Sequence, residues 1–348
     1  MEQVRVAIVG LNIGKPMARG FVKSPRGHVA ALCDLLEPRM RDFAAEIPGP
    51  VKCYTDYLEL CRDPDIDAIF IGTPNQWHVP IAMEAVRNGK HVLVIKPLAD
   101  SLTAAEELVT AAEASGVVNM MALVNRWNPA TRVFQQMVAD GEFGDVYYAR
   151  ARSIRRSGIP SWSPGFIQQG GGAFRDVGVH VLDAAWWMMG MPRQVSVTGV
   201  SGAKFGPRGQ GYWEYKPQPE LGPQFTADDY GGGFIRFENG AGLQIESFWA
   251  SHQAEDRQIE LFGTEAGAKL YPPTLYRTRH GAPADSTIEF PKGADSWERL
   301  ATHFCDCILD GIACDSPLRH GLIVQDMLEA LLRSGENGRE VTIDGRMQ

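Results

Sequence analysis

The segment GGGAFRDVGVHVLD at residues 170–183 carries polar side chains at a spacing that could support proton transfer. Asp176, His180 and Asp183 stand at i, i+4 and i+7, so on an α-helix all three would lie on one face. An imidazole beside a carboxylate can act as a general base that the carboxylate orients. The glycines at 170–172 would let a backbone or a substrate come close. From spacing alone, a histidine that makes only structural hydrogen bonds is the alternative.

A second reactive group stands at the end of an apolar run. Lys96 follows HVLVI at residues 91–95, and open α/β sheets bind their ligands at the carboxyl ends of such strands. Pro97 disfavours helical geometry at Lys96, so the ammonium should project from a stiff turn. An ammonium there could stabilise developing alkoxide charge in a water-poor cleft. The alternative is a lysine that simply emerges into solvent.

The first strand runs into a glycine turn, GLNIGKPMARG, which is typical of an anion-binding strand–turn–helix unit. A full dinucleotide fingerprint would place glycines at positions 10, 12 and 15, whereas this chain has Gly10, Asn12 and Lys15, with Ile13 and Gly14 between the last two. Asp34 follows the second strand, where a carboxylate can bind the ribose hydroxyls and would repel a 2′-phosphate. The carboxylate of Asp34 therefore favours NAD over NADP as the cofactor. The alternative is an ordinary α/β turn with a solvent-facing aspartate.

The elements that must position these residues fall into two kinds. In the first part, short β-branched strands alternate with helices, which predicts a parallel sheet with crossover helices in an α/β Rossmann domain over residues 1–124. The later part predicts an α+β domain with an open, predominantly antiparallel sheet over residues 125–348. The Gly- and Pro-rich stretch at 202–225 is too long for a hairpin and predicts a lid or an oligomer arm. The predicted strands are 4–9, 29–33, 68–71, 91–95, 118–124, 145–154, 194–201, 231–237, 241–250, 257–263 and 341–343, and the predicted helices include 80–88, 103–115, 297–309 and 321–334.

Three strings in order, TPNQWH at 73–78, HVLVIKP at 91–97 and the segment at 170–183, resemble those of the Gfo/Idh/MocA family of oxidoreductases. The resemblance covers nearly the whole chain. It implies NAD(P)-dependent oxidation or reduction of sugars, polyols and similar compounds. It also implies a C-terminal sheet that carries the substrate pocket and usually an oligomer interface, so we expect a homodimer or homotetramer.

The resemblance implies roles for individual residues around a reacting carbon. His180 would remove the hydroxyl proton, Asp176 would hold the imidazole or bind a neighbouring hydroxyl, and Lys96 would stabilise the alkoxide. The family usually has Glu before the Lys-Pro pair, where this chain has Ile95. His78 matches the cofactor-proximal loop, but could simply cap the following helix. The expected cofactor-binding residues are Gly10, Asn12, Ile13, Gly14, Asp34, Thr73, Pro74, Asn75, His78, Lys96 and Arg126.

Arginine and tryptophan residues near these strings suit a carbohydrate. Aromatic faces and guanidinium groups match the alternating CH and OH surfaces of a pyranose. A packed indole and an ion-paired arginine are the structural alternative. The expected substrate-binding residues are Lys96, Arg126, Trp127, Arg155, Trp162, Asp176 and His180.

Composition excludes several other classes of protein. The formal net charge is -8 with both signs interspersed, which argues against nucleic acid as a partner. No apolar run reaches the length needed to span a bilayer, so no membrane association is expected. The six cysteines show no disulfide framework, which fits the cytoplasm. Cys305 and Cys307, with His303 nearby, could suggest a metal site, but the two cysteines stand two apart in a helical pattern and point to different faces, so no metal site is predicted.

Three functions remain open from the sequence. An NAD-dependent dehydrogenase is favoured because Lys96, Asp176 and His180 are all present. A glycosidase that uses NAD for transient oxidation is the second. A non-catalytic, NAD-sensing regulatory protein on the same fold is the third, although such a protein would not need to retain these three side chains.

Overall fold

The computed structural model describes residues 3–168 and 170–343, which form two compact units. The first contains the chain up to Trp127 together with Gly293–Leu322, and the second contains Asn128–Lys292 together with the chain from Ile323 onward. This division differs from the sequence-based division at residue 124, which placed 293–322 in the second domain. The reason is an amphipathic helix in that segment, which contributes Leu300 and Phe304 to the apolar core of the first unit.

The first unit is built on a six-stranded parallel sheet in the order β3-β2-β1-β4-β5-β6. This arrangement confirms the predicted Rossmann class. Its strands are β1 (Val4–Val9), β2 (Gly27–Cys33), β3 (Lys52–Tyr54), β4 (Ala68–Ile71), β5 (His91–Val94) and β6 (Asn119–Met121). Its helices include α1 (Gly14–Lys23), α2 (Glu37–Ala44), α3 (Tyr57–Arg62), α4 (His78–Arg87) and α5 (Leu102–Ser115).

The central strands form where the sequence is apolar without interruption. All four residues of β4 are fully buried, as expected for a parallel strand covered by helices on both faces. Helix α5 begins after Ser101, whose side chain accepts a hydrogen bond from the amide of Ala104, and it ends at Gly116 in the left-handed conformation.

The second unit is built on a nine-stranded sheet in the order β16-β13-β12-β11-β7-β10-β9-β8-β17. Among the described residues of this sheet, β7 pairs with β10 in parallel and the other neighbouring strands pair antiparallel, which confirms the predicted α+β class. The strands are β7 (Val146–Ile154), β8 (Gln194–Gly202), β9 (Tyr230–Phe237), β10 (Gly242–Phe248), β11 (Asp256–Gly263), β12 (Gly267–Lys269), β13 (Thr274–Tyr276), β16 (Ser286–Thr287) and β17 (Val341–Thr342); β14 (Thr278–Arg279) and β15 (Ala282–Pro283) form a separate pair.

The remaining helices cover one face of this sheet or complete the first unit. Helices α6 (Pro129–Ala139), α7 (Pro164–Ile167) and α8 (Val179–Met188) belong to the second unit, and α9 (Ser296–Leu309) belongs to the first. The boundary between the units falls within α10 (Leu318–Asn337). Within residues 3–168 and 170–343, no helix is both long and apolar enough to cross a membrane.

The predicted long loop contains three short 3-10 turns, at Gly206–Arg208, Trp213–Tyr215 and Pro219–Gln224. Its base is fixed by Asp229, whose carboxylate accepts hydrogen bonds from the amides of residues 204–206 at 2.7 to 3.0 Å. Burial raises the pKa of this carboxyl, and the amide donors oppose that rise. The loop is thus anchored to its own unit, while a lid or oligomer role stays a prediction.

Candidate active site

The glycine turn of the first unit is packed so closely that there is no room for a side chain at Gly10 or at Gly14. Gly10 has a φ of +84°, and a Cβ built there would lie 2.5 Å from the carbonyl oxygen of Gly72 at the end of β4. A Cβ on Gly14, the first residue of α1, would lie 2.8 Å from the side chain of Ile8. Asn12 and Ile13 between them are exposed. The exposed backbone before a helix N-terminus suits the pyrophosphate of a dinucleotide.

Asp34 links this turn to the chain that follows β2. Its Oδ2 accepts the amide of Leu11 at 2.9 Å, and its Oδ1 accepts the amide of Leu36 at 3.1 Å. The guanidinium of Arg39 lies 3.5 Å from Oδ2. The carboxylate is therefore held in a fixed orientation beside the glycine turn, where the sequence predicts ribose binding.

The predicted cofactor loop after β4 contains an orphaned polar atom. Thr73 Oγ1 is buried and has no hydrogen-bond partner among the described residues. Pro74 is exposed and Asn75 is half-buried at the start of a 3-10 turn. The closely packed glycines and the orphaned Thr73 hydroxyl fit a dinucleotide bound at the carboxyl ends of β1 and β4.

His78 does not point outward from this loop. It is fully buried, with Nδ1 2.8 Å from the carbonyl oxygen of Pro97 and Nε2 2.8 Å from that of Thr73. Burial lowers the pKa of this imidazole, although the neighbouring carbonyls oppose that shift. In place of the predicted cofactor contact, the geometry supports a positioning role for His78, because its ring connects the loops after β4 and β5.

Lys96 follows β5 and is half-buried, with a cis peptide bond to Pro97. Ile95, at the position where the family usually has Glu, is buried in the apolar core of the first unit. β1, β4 and β5 are neighbours in the sheet, so the turn at Gly10, the loop at Thr73 and Lys96 follow adjacent strand ends. The first unit therefore brings together most of the cofactor residues predicted from sequence.

Arg126 and Trp127 lie differently from the prediction. Both are buried, and Arg126 Nη1 donates to the carbonyl oxygen of Asp315 at 2.7 Å and lies 3.0 Å from His320 Nδ1. The indole of Trp127 packs against the His303 ring at a centroid distance of 4.7 Å. The two side chains pack within the first unit, as the structural alternative expects, while the cofactor contact of Arg126 and the substrate contacts of both residues stay predictions.

The predicted catalytic helix of the second unit begins with a π-helical turn, Phe174–Gly178, and continues as α8. Its start is fixed by Asp228, because Phe174 donates its amide to Asp228 Oδ2 at 3.0 Å. Gly172, with a φ of +109°, must lack a side chain, because a Cβ would lie 1.9 Å from Asp228 Oδ1. The wider π turn alters the angular spacing that an uninterrupted α-helix would give Asp176 and His180.

Along residues 171–189, the residues that are not fully buried are Arg175, Asp176 and His180. Arg175 is held by a bidentate ion pair with Glu329 of α10, at 3.0 and 2.6 Å, which occupies its guanidinium group. Asp183 is buried, in agreement with the structural role expected for it. The accessible polar groups of this helix are therefore a carboxylate and an imidazole.

Trp249 follows β10 and contacts the predicted catalytic helix. Its fully buried indole Nε1 donates a hydrogen bond to Asp176 Oδ2 at 2.9 Å. Arg155 Nη1 lies 4.0 Å from the same oxygen. The end of β10 thus supplies a rigid donor that orients the Asp176 carboxylate.

An aromatic cluster adjoins Arg155 in the second unit. The Arg155 guanidinium lies 5.3 Å from the Trp213 ring centroid, and Trp213 meets Trp162 edge to face at 6.1 Å. Trp162 is 58% exposed and Trp213 is 45% exposed. The structure thus brings Arg155 and Trp162 together, as substrate binding would require, and adds Trp213, which no sequence pattern indicates.

Residues 4–123 match the oxidoreductase family with an NAD-binding Rossmann fold, and residues 131–269 match the GFO/IDH/MocA C-terminal domain. The chain is 27% identical over 351 residues to D-glucoside 3-dehydrogenase of Escherichia coli (strain K12), a match that covers 98% of this chain and 97% of that protein. It is 28% identical over 353 residues to scyllo-inositol 2-dehydrogenase (NAD(+)) of Bacillus subtilis (strain 168), covering 99% and 97%.

A solved structure has the same fold. Levoglucosan dehydrogenase in complex with NADH and levoglucosan superposes with a TM-score of 0.84 at 20% identity, covering 98% of this chain and 99% of that one. The matches span both units. The chain therefore belongs to the Gfo/Idh/MocA family of oxidoreductases, and its first unit contains an NAD-binding Rossmann domain.

Proposed function

We propose that this protein oxidises a secondary alcohol of a sugar, glycoside or polyol with NAD, or catalyses the reverse reduction. The observation that carries the proposal is the helix of the second unit. Most of its length is buried, yet it keeps Asp176 and His180 partly exposed, with Asp176 oriented by Trp249. A purely structural helix would not need an acid–base pair at its accessible positions.

Each catalytic side chain has a separate task. Removing the hydroxyl proton is the role of His180, and Asp176 orients the imidazole or binds a neighbouring hydroxyl. The ammonium of Lys96 stabilises negative charge on the substrate oxygen. NAD, when bound, supplies the hydride acceptor.

The first unit supplies the cofactor contacts. The backbone of the glycine turn, Gly10 to Gly14, binds the pyrophosphate, and Asp34 binds the ribose hydroxyls and disfavours NADP. Thr73 Oγ1 is a hydroxyl available to the bound dinucleotide, while His78 acts through the loops that it holds.

The relatives and the aromatic cluster support a cyclic, hydroxyl-rich substrate. Two relatives are named for a glucoside and for an inositol. In this chain Arg155, Trp162 and Trp213 offer a guanidinium and two partly exposed indole faces to the CH and OH surfaces of such a ring.

We also propose that the protein is a cytoplasmic homodimer or homotetramer that assembles through the face of the second sheet not covered by helices. On this sheet Tyr148 and Phe262 pack together, and Arg150 and Arg152 pair with Glu260. Such a mixed apolar and charged face suits a self-complementary interface. All six cysteines are free thiols, which suits a reducing compartment.

The test is a panel of monosaccharides, methyl glycosides and inositols incubated with NAD while NADH absorbance is followed. The proposal expects NADH from at least one of them, and a loss of about 10²- to 10⁴-fold in turnover for His180→Asn. His280→Asn, an exposed histidine between β14 and β15, is the matched control and should keep full activity. Release of an aglycone without net NADH would instead indicate the glycosidase, and NAD binding without turnover of any compound would indicate the sensor.

A further inference from the structure

Helix α9 and the loop after it bring three soft metal-binding side chains together in the first unit. The ligating atoms of His303, Cys307 and Cys314 all lie within 4.8 Å of one another. His303 Nε2 and Cys307 Sγ are 3.4 Å apart. The cluster shares no residue with the glycine turn or with the side chains assigned to catalysis.

The sequence prediction of no metal site rested on Cys305 and Cys307, which stand on different faces of the helix. Cys305 is indeed fully buried in the apolar core. The residues that converge are instead His303 and Cys307, one turn apart on the same face of α9. Cys314 joins them from the loop beyond the helix.

Contacts with β6 and the chain after it hold this loop in place. The carbonyl oxygen of Asp315 accepts a hydrogen bond from Arg126, and Ser316 Oγ donates to the carbonyl oxygen of Met121 at 2.9 Å. Cys314 Sγ lies 3.8 Å from the carbonyl oxygen of Asn119. Cys314, the third ligand, is therefore held near the helix by several contacts that do not involve His303 or Cys307, which favours the preorganisation that a metal site requires.

The separation of His303 Nε2 from Cys307 Sγ agrees with tetrahedral coordination of zinc. With Zn–S near 2.3 Å and Zn–N near 2.0 Å, tetrahedral angles place a nitrogen and a sulfur ligand roughly 3.5 Å apart. The observed separation of His303 Nε2 and Cys307 Sγ is 3.4 Å. Two thiolates and an imidazole form a ligand set that binds zinc in preference to magnesium or calcium.

We propose that His303 Nε2 and the thiolates of Cys307 and Cys314 bind a zinc ion, with water as the fourth ligand. The two thiols release their protons to solvent as the metal enters. The amide of Asp315, which lies 3.0 Å from Nε2, must turn away from the imidazole lone pair. The bound ion would connect α9 to the loop at Cys314 and so stabilise the first unit.

The first test is a titration of the full-length protein with Zn²⁺ alone, in a non-thiol reductant and after removal of metal, followed by native mass spectrometry. One zinc ion per chain is expected. Cys307→Ser and Cys314→Ser should each weaken binding by more than about 100-fold, because even the loss of a group that only orients a ligand costs up to that much. Cys53→Ser, which changes an exposed cysteine outside the cluster, should bind as the wild type does.

The second test needs no variant at the site. Zn²⁺ should protect Cys314, the partly exposed thiol of the cluster, from alkylation in the wild-type protein, mapped by peptide mass spectrometry, while Cys53 continues to react. Reduced protein that takes up no zinc, or bound zinc that leaves Cys314 as reactive as before, would overturn the proposal. Neither readout depends on catalysis, so failure here and failure of the proposed dehydrogenase activity are distinguishable.

Discussion

The substitution Trp249→Phe removes one hydrogen bond from Asp176 and leaves most of the ring in place. The bond runs from a fully buried indole Nε1 to Asp176 Oδ2 over 2.9 Å. A second buried indole provides a matched control, because Trp186 Nε1 donates over the same 2.9 Å to the carbonyl oxygen of Pro192. The two variants lose the same donor, but only the first loses it from a residue assigned to catalysis.

The expected magnitude follows from the charge on the acceptor. A hydrogen bond to a charged group contributes about 1.5 to 3 kcal/mol. If Asp176 orients the imidazole or the substrate, the loss appears in the transition state, and 1.36 kcal/mol is a factor of ten in rate. We expect Trp249→Phe to lower kcat/KM by about 10- to 100-fold, and Trp186→Phe to leave it near the wild-type value.

The assay is steady-state NADH formation with the best substrate from the panel, alongside urea unfolding of both variants. Similar losses of stability with different losses of kcat/KM would separate a positioning role from a merely structural one. Should Trp249→Phe stay within twofold of the wild type, or Trp186→Phe lose as much, the indole does not position Asp176 for catalysis.

Three further substitutions test other parts of the account. Asp34→Asn should reduce the preference for NAD over NADP by at least about tenfold, measured as a ratio of kcat/KM values, because it removes the charge that repels a 2′-phosphate; an unchanged ratio would argue against ribose binding there. Arg175→Gln should lower the free energy of unfolding by about 1 to 3 kcal/mol, because it leaves Glu329 unpaired with a side chain 19% exposed, and adding Glu329→Gln should recover part of the loss in urea titrations. Burial raises the pKa of Asp228 to about 6, so the native protein binds this proton more tightly than the unfolded chain, and the stability contributed by the group should fall as pH rises from about 4 to about 6. Asp228→Asn should remove that decline, up to about 3 kcal/mol, and equal pH dependence in both proteins would contradict the assignment.

The parallel sheet could be predicted from sequence because its central strands are buried on both faces. The predicted strands 4–9 and 68–71 coincide with β1 and β4, whose residues are apolar almost without interruption. The short strands β12 to β16 could not be predicted in this way. Several of them are two or three residues long and exposed, so their pairing depends on neighbouring strands rather than on their own pattern.

Other features depend on contacts between residues far apart in sequence. The burial of Arg126 results from its bonds to Asp315 and His320, nearly two hundred positions away, which no local pattern indicates. The contact of Trp213 with Arg155 likewise joins residues that are far apart in sequence, and no local pattern indicates it. The π turn before α8 likewise depends on Asp228, which anchors its first residue from the start of a distant strand.

The most direct test of the central claim is to follow hydrogen itself. A substrate sugar labelled with deuterium on each carbinol carbon in turn would be incubated with NAD, and the NADH would be analysed by mass spectrometry. The account predicts that label from one secondary carbinol appears in NADH, and that His180→Asn and Lys96→Ala slow its transfer by at least about 100-fold. NADH that carries no label from any position, or variants that transfer it at the wild-type rate, would contradict the account.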